Sequence, residues 1–268
     1  NLSKVPLVKN PVYHYTIINE GGKKIGYLMY NQFLSNYDSY IESIFSEFKS
    51  NLIDDIIIDL RYNPGGSVNS ALLISSLLTG QFTNEIFSYE EWNSEIQNYW
   101  ENNNPEYLVN RFLSYENSLK MNKIYVLTSR STASASELLI NCLSPYINVV
   151  QIGTSTYGKY QASITLYDSN NFSNQNTNPA HNYAIQPLVM KTLNVNGVSD
   201  YYNGIEPDYI FEERPYNMGI IGELNEPMLN YTINLINQRS VSFEQPELFG
   251  TIGDNFKFEY LDKEMYID

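Results

Sequence analysis

The spacing of apolar residues along this chain alternates between a strand period and a helix period, and the changes divide it into elements. Residues 12–33 read as a β-hairpin, because the apolar-rich runs 13–18 and 24–30 flank Gly21-Gly22, a tight-turn signal. Tyr37, Tyr40, Ile41, Ile44, Phe45 and Phe48 then recur at spacings of three and four. That spacing predicts an amphipathic helix whose aromatic stripe packs in the core, with Ser35 and Asp38 as a capping box. Ile56-Ile57-Ile58 is a short unbroken apolar run, the pattern of a strand covered on both faces. It leads through the turn Asn63-Pro64-Gly65-Gly66 into a helical pattern at Val68, Ala71, Leu72, Ser75 and Leu78, which makes a βα unit.

Residues 81–120 are aromatic, Asn-rich and irregular, and are expected to be an insertion with one or two helices that shapes a cleft. A second βα unit follows: a strand at 123–128, a turn at 129–133 and a helix from Ser134 to about Ser144, stopped by Pro145. Another strand is expected at 147–152. Beyond the loop 153–159, Ala162, Ile164 and Leu166 alternate with Ser163, Thr165 and Tyr167 as in a further strand. Residues 168–182 read as a polar loop, 183–191 as a strand, and Met228, Leu229, Thr232, Ile233 and Ile236 as a late helix. The last 30 residues carry no readable pattern. The order predicts an α/β or mixed α+β fold around a mixed sheet, as one catalytic-core domain over 1–268.

Composition narrows the function. Hydrophobic residues make up 43% and charged residues 17%, which fits a globular chain. A net charge of −14 without a Lys/Arg cluster argues against nucleic acid as a partner. No apolar run reaches the 18 residues of a membrane span. Cys142 is the only cysteine, so neither an internal disulfide nor a Cys-based zinc site is expected, and the helix position of Cys142 reads as buried packing. No His/Asp/Glu cluster has ligand spacing, and neither metal nor cofactor is expected. The chain starts at Asn1 with neither Met nor a signal-like segment, which reads as a mature or shortened chain.

Candidate chemistry centres on Ser134. It follows a strand and a small-residue turn and opens a helix, where unpaired N–H groups favour developing negative charge. Ser134 with Glu137 also reads as an ordinary capping box. Its base is not evident among the two histidines, His14 and His181, which have no patterned neighbours. A lysine held neutral in a dry pocket can serve instead, and Lys159 closes a Gly-flanked loop before a strand. Gly153 to Lys159 also fits G-x-x-x-x-G-K, but Tyr160 replaces the Ser/Thr of a phosphate loop and a strand replaces its helix, so nucleotide is not expected. Gly65-Gly66 offers bare backbone that can approach a ligand, or a plain βα turn.

Taken in order, these segments resemble the S41 peptidases, the carboxy-terminal processing (tail-specific) proteases and their tricorn-like relatives. Asp59-Leu-Arg-Tyr-Asn-Pro-Gly-Gly66 is similar to the family's D-L-R-x-N-x-G-G turn. Thr132-Ala-Ser-Ala-Ser-Glu137 is similar to its nucleophile segment, and Gly153 to Lys159 to its lysine loop. Asn203-Gly-Ile-Glu-Pro-Asp208 is a weaker fourth match, and the resemblance is strongest over 24–210. It implies a ClpP/crotonase-like core and a Ser–Lys serine endopeptidase acting on polypeptides, unfolded or C-terminally tagged. Ser134 would be the nucleophile, since it lies the family's 25 residues before Lys159, the base. The N–H groups of Gly66 and Ala135 would form the oxyanion hole.

This sequence departs from the family where many members place a lysine-orienting Gln four residues after the lysine. Ser163 stands there, and Gln161 lies two positions earlier on the same strand face, so the role falls to Gln161, to Ser163 or to no residue. No PDZ domain is expected in this chain, since the core pattern starts near residue 13. The motif spelling is most similar to that of members from Bacteroidetes-type bacteria, commonly exported and often lipid-anchored, which implies an extracytoplasmic location. A binding protein for an apolar ligand or peptide on the same scaffold is the alternative, because fold alone does not set function.

Overall fold

The computed structural model describes residues 9–214 and 216–239, together with the backbone of 265–266. In the first of two six-stranded sheets, β1 (Val12–Glu20) and β2 (Lys23–Tyr30) form the expected antiparallel hairpin, turned by Gly21 and Gly22 at positive φ. From β2 the sheet runs parallel through β3 (Asp55–Asp59), β7 (Lys123–Thr128), β8 (Asn148–Gly153) and β13 (Tyr209–Ile210). The second sheet has the order β4 (Gly66–Ser67), β14 (Met265–Tyr266), β9 (Gln161–Ser163), β12 (Leu188–Leu193), β5 (Ile86–Trp92) and β6 (Val109–Arg111). A separate ribbon pairs β10 (Leu166–Tyr167) with β11 (Ala184–Ile185).

Strand alternation explains how the first sheet is covered. Leu28, Tyr30, Ile56, Ile58, Ile124 and Val126 face a large core with α1 (Asp38–Ser50), α2 (Val68–Thr79) and α4 (Ala135–Leu143). Tyr27, Met29, Ile57, Tyr125 and Leu127 point the other way, onto Met228, Leu229, Ile233 and Ile236 of α5 (Pro227–Ile236). Each fully buried side chain of this kind stabilises by about 1.5–3 kcal/mol relative to exposure. A strand with both faces covered reads as a continuous apolar run, which is why Ile56-Ile57-Ile58 announced a parallel sheet. α2 packs beside α1 and α4 and is buried on nearly all sides, and Ser75, Ser76 and Thr79 satisfy their buried hydroxyls on carbonyls four residues back.

The expected mixed sheet is the first one, antiparallel between β1 and β2 and parallel beyond, and a second six-stranded sheet accompanies it. Several other expectations are corrected. The Ser35 capping box does not form: Ser35–Tyr37 is a 3₁₀ turn, and Asp38 instead accepts a hydrogen bond from Ser70 Oγ at 2.7 Å. Tyr40 is exposed, so the buried stripe of α1 is Ile41, Ile44, Phe45 and Phe48. Within 81–120, α3 (Ser94–Asn103) is the expected helix, but β5 and β6 are ordered strands that the aromatic and Asn-rich composition concealed. The strand expected at 162–167 is split between β9 and β10. That expected at 183–191 breaks at Pro187, which cannot donate to a ladder, into β11 and β12. The unreadable last 30 residues lie outside the described residues, apart from Arg239 at one end in sequence and the two-residue strand β14.

Candidate active site

Three loops leave the C-terminal ends of the neighbouring parallel strands β3, β7 and β8, the usual place for a site in such a sheet. They are the Gly-Gly turn, the Ser134 turn and the Lys159 loop. Main-chain hydrogen bonds knit them together. Asn63 O accepts from Ala133 N at 3.0 Å and from Ser136 Oγ at 3.1 Å, and Thr132 O accepts from Tyr157 N at 2.9 Å. Thr132 Oγ1 also donates to Leu60 O at 2.7 Å.

Ser134 sits at φ 63°, ψ −115°, a region that glycine occupies easily and a side chain does not. It is fully buried. Its hydroxyl is disposed toward the helix as in a capping box. No hydrogen bond of ordinary geometry holds it, so Oγ is one of the few buried polar atoms without a partner among the described residues. Strain plus an uncommitted buried hydroxyl set Ser134 apart from an ordinary helix cap. Ala135 follows as the first residue of α4 and is buried.

The other half of the capping box holds the two loops in register. Glu137 is buried and accepts four hydrogen bonds. Oε2 receives Ser134 N at 2.7 Å and Lys159 N at 2.8 Å, while Oε1 receives Thr156 Oγ1 at 2.6 Å and Gly158 N at 2.5 Å. Burial pushes its carboxyl above the ordinary value, and the four donors pull the other way without overcoming it. One side chain thereby fixes the backbone on both sides of the nucleophile and lysine candidates. Lys159 is half-buried at the end of its loop. Of the two candidates for orienting it, Gln161 is exposed on β9, whereas Ser163 is buried on the same strand.

Gly66 has φ +135°, and a Cβ there would stand 2.1 Å from Phe33 O. Only glycine fits this close approach. Asn63 shapes the turn, its Oδ1 accepting from Gly65 N at 2.9 Å and its Nδ2 donating to Tyr30 O at 2.8 Å. The weaker fourth motif clamps the lysine loop: Thr156 N donates to Ile205 O at 3.1 Å, and Ile205 N to Thr156 Oγ1 at 2.7 Å. Gly204 and Gly158, both at positive φ, let these backbones meet. Asp208 holds the base of the loop by accepting from Gln151 N at 2.8 Å.

The profile of peptidase family S41 matches residues 24–211. The chain belongs to peptidase family S41. A carboxyl-terminal-processing protease from Picosynechococcus sp. (strain PCC 7002) is 30% identical over 156 residues, 56% of this chain and 32% of that protein. The carboxy-terminal processing protease CtpB of Bacillus subtilis is 23% identical over 211 residues, 77% of this chain and 38% of that protein. The chain thus spans about a third of the length of these curated relatives. Among solved structures, an assigned S41 protease from Bacteroides fragilis NCTC 9343 superposes with a TM-score of 0.74 at 29% identity, over 87% of this chain and 59% of that one. The photosystem II D1 C-terminal processing protease shares the fold, with a TM-score of 0.56 at 20% identity, over 77% of this chain and 49% of that one.

In this S41 chain the sequence reading missed two groups. Glu137 read only as a cap, since Thr156, Gly158 and Lys159 lie about twenty residues away. Asp59 and Arg61 read only as motif letters, yet Arg61 is buried between three carboxylates. It meets Asp59 at 2.6 Å, Glu213 at 2.8 Å and Glu226 at 3.0 Å. Glu226 also caps α5 through Met228 N and Leu229 N, so the motif bolts that helix to the sheet below the Gly-Gly turn. The histidines lie apart from this constellation: His14 lies in β1 near Gly222, and His181 pairs with Asp168 at 3.2 Å in an exposed loop. Cys142 is buried, and burial pushes its thiol far above the ordinary value. No group of three metal-binding side chains occurs among the described residues, and no helix there is long and apolar enough to cross a membrane.

Proposed function

We propose that this S41 domain is a serine endopeptidase working through a Ser134–Lys159 pair on unfolded or C-terminally tagged polypeptides. Ser134 Oγ attacks the scissile carbonyl carbon while neutral Lys159 Nζ takes its proton. Gly66 and Ala135 N–H groups hold the resulting oxyanion, a contribution of about 3–4 kcal/mol per donor in comparable sites. Collapse breaks the C–N bond, Lys159 returns the proton to the leaving amine, and water then releases the acyl group by the same steps. Burial favours Ser163 over Gln161 as the residue that orients the lysine. On the resemblance alone, we place this activity outside the cytoplasm.

The observation that carries the proposal is the shared Glu137 anchor. It ties the strained, uncommitted Ser134 and the Lys159 main chain to one carboxylate, next to a turn whose glycine cannot be replaced. The test is cleavage of an unfolded protein by wild type, Ser134→Ala and Lys159→Ala. Each variant should lose a factor of about 10³ or more in kcat, as when one member of a catalytic unit is removed. Wild-type kcat/KM should rise toward alkaline pH, where the amine is neutral. Equal cleavage by wild type and Ser134→Ala would leave a binding protein on a peptidase scaffold.

A further inference from the structure

The second sheet contains a strand seated directly against the Gly-Gly turn. β14, Met265–Tyr266, separates β4 from β9 and runs parallel to both. Met265 is opposite Gly66, and Tyr266 is opposite Ser67 on one side and Ser163 on the other. β4 is the direct continuation of the Gly-Gly turn, and β9 begins two residues after Lys159. The gap that β14 fills is therefore bounded by the oxyanion turn and by the strand of the proposed base. Its two walls are strand edges that offer main-chain N–H and C=O groups, which pair with any extended backbone regardless of its side chains.

We propose that residues 265–266 are a resident occupant of the peptide cleft, a strand of this chain that competes with substrate in cis. The proposal rests on the peptidase reading of Ser134 and Lys159 and adds how a polypeptide is held: extended, and paired on both sides. A backbone already opposite Gly66 stands where the substrate carbonyl must enter, so the seated strand and a substrate exclude each other. Tethering presents a competitor at an effective concentration on the order of 1 mM, and with a Kd on the order of 0.1 mM about one cleft in ten is open.

Met265→Pro and Tyr266→Pro test this in the full chain, because proline removes the N–H and is not tolerated inside a ladder. Hydrogen exchange, read in a Ser134→Ala background to prevent self-cleavage, should quicken at Gly66 and within Gln161 to Ser163 in both proline variants, while Ser67, whose amide donates to Phe33 O at 2.9 Å, serves as the internal control. Unchanged exchange at Gly66 and within Gln161 to Ser163 overturns the seating of the strand, whatever Ser134 does. In the Ser134 forms, labelling by a fluorophosphonate should be about tenfold faster in the proline variants, the inverse of the open fraction above. A synthetic peptide of residues 263–268 should slow it again. Labelling that is equal in all forms overturns the competition. Quickened exchange with no labelling and no cleavage in any form would instead point to failure of the serine peptidase reading, and the competition falls with it.

Discussion

Replacing Arg61 by methionine keeps much of the buried volume and removes the cation that three carboxylates share. Arg61 Nε and Nη2 chelate Asp59, and Nη1 reaches Glu213 and Glu226. Asp59 is fully buried and Glu226 nearly so, whereas Glu213 reaches solvent and can rehydrate. Asp59 would keep the hydroxyl of Tyr27 at 2.7 Å, and Glu226 the two amides at the start of α5. Breaking a buried pair by removing one partner costs about 3–5 kcal/mol, and that is the loss expected for Arg61→Met at neutral pH in urea titration with an unchanged m-value. The sign of its pH dependence follows from Glu226. Burial already raises the Glu226 carboxyl, with Arg61 as the main opposing influence, so removing Arg61 raises it further. A carboxyl raised in the folded state contributes stability that is present below its unfolded value, roughly 4.3, and is lost as pH rises through the folded value. The deficit of the variant should therefore be largest near pH 7 and shrink toward pH 4. Adding Glu226→Gln to Arg61→Met should recover part of the loss. A deficit under about 1 kcal/mol, or one that grows on acidification, refutes the reasoning.

Three further outcomes follow from the site. Ser134→Gly should be more stable than Ser134→Ala by about 1–2 kcal/mol, since only glycine accepts φ 63° and ψ −115° without strain, while both are inactive; equal thermal midpoints would remove the strain argument. Glu137→Ala strips the common acceptor from Ser134 N, Gly158 N and Lys159 N, and kcat should fall about 100-fold with KM little changed, as for a small misplacement of reacting groups. A change confined to KM would assign Glu137 to substrate binding instead. Gly66→Ala must displace Phe33 O, which a new Cβ would approach to 2.1 Å, and kcat should drop at least about 100-fold as the proposed oxyanion N–H is moved out of place. Wild-type kcat in a folded Gly66→Ala protein would exclude Gly66 from the oxyanion hole.

How much of this was legible in the sequence depends on the reach of each interaction. α1 and α5 were readable because their burial recurs every three to four residues, and β3, β7 and β8 because strands with covered faces read as apolar runs, whereas the two-residue β13 was not read. β5 and β6 were not, since their partners, one another and β12, set their burial, and β12 lies about a hundred residues further on. The break between β11 and β12 was available in Pro187 but was overridden by the apolar run around it. Ser134, Lys159 and Gly66 stood out through motif spacing. Ser134 alone looked like a helix cap, because its backbone strain and unpartnered hydroxyl are properties of the folded turn and leave no trace in residue type.

The motif letters sort into two jobs once the contacts are known. Asp59, Arg61, Asn63 and Asp208 touch backbone or one another and set where the loops lie. The Ser134 hydroxyl, with no partner among the described residues and on a strained backbone, contributes nothing evident to holding the fold. Glu137 belongs to the first group by its contacts and serves the second by its position, since it is satisfied only if the Ser134 turn and the Lys159 loop arrive together. A buried carboxylate with four donors is costly to assemble halfway, because each missing N–H leaves charge unsolvated in a dry place. The geometry around the proposed Ser–Lys pair is therefore close to all-or-none: either both loops dock on Glu137, or neither the nucleophile nor the lysine is held.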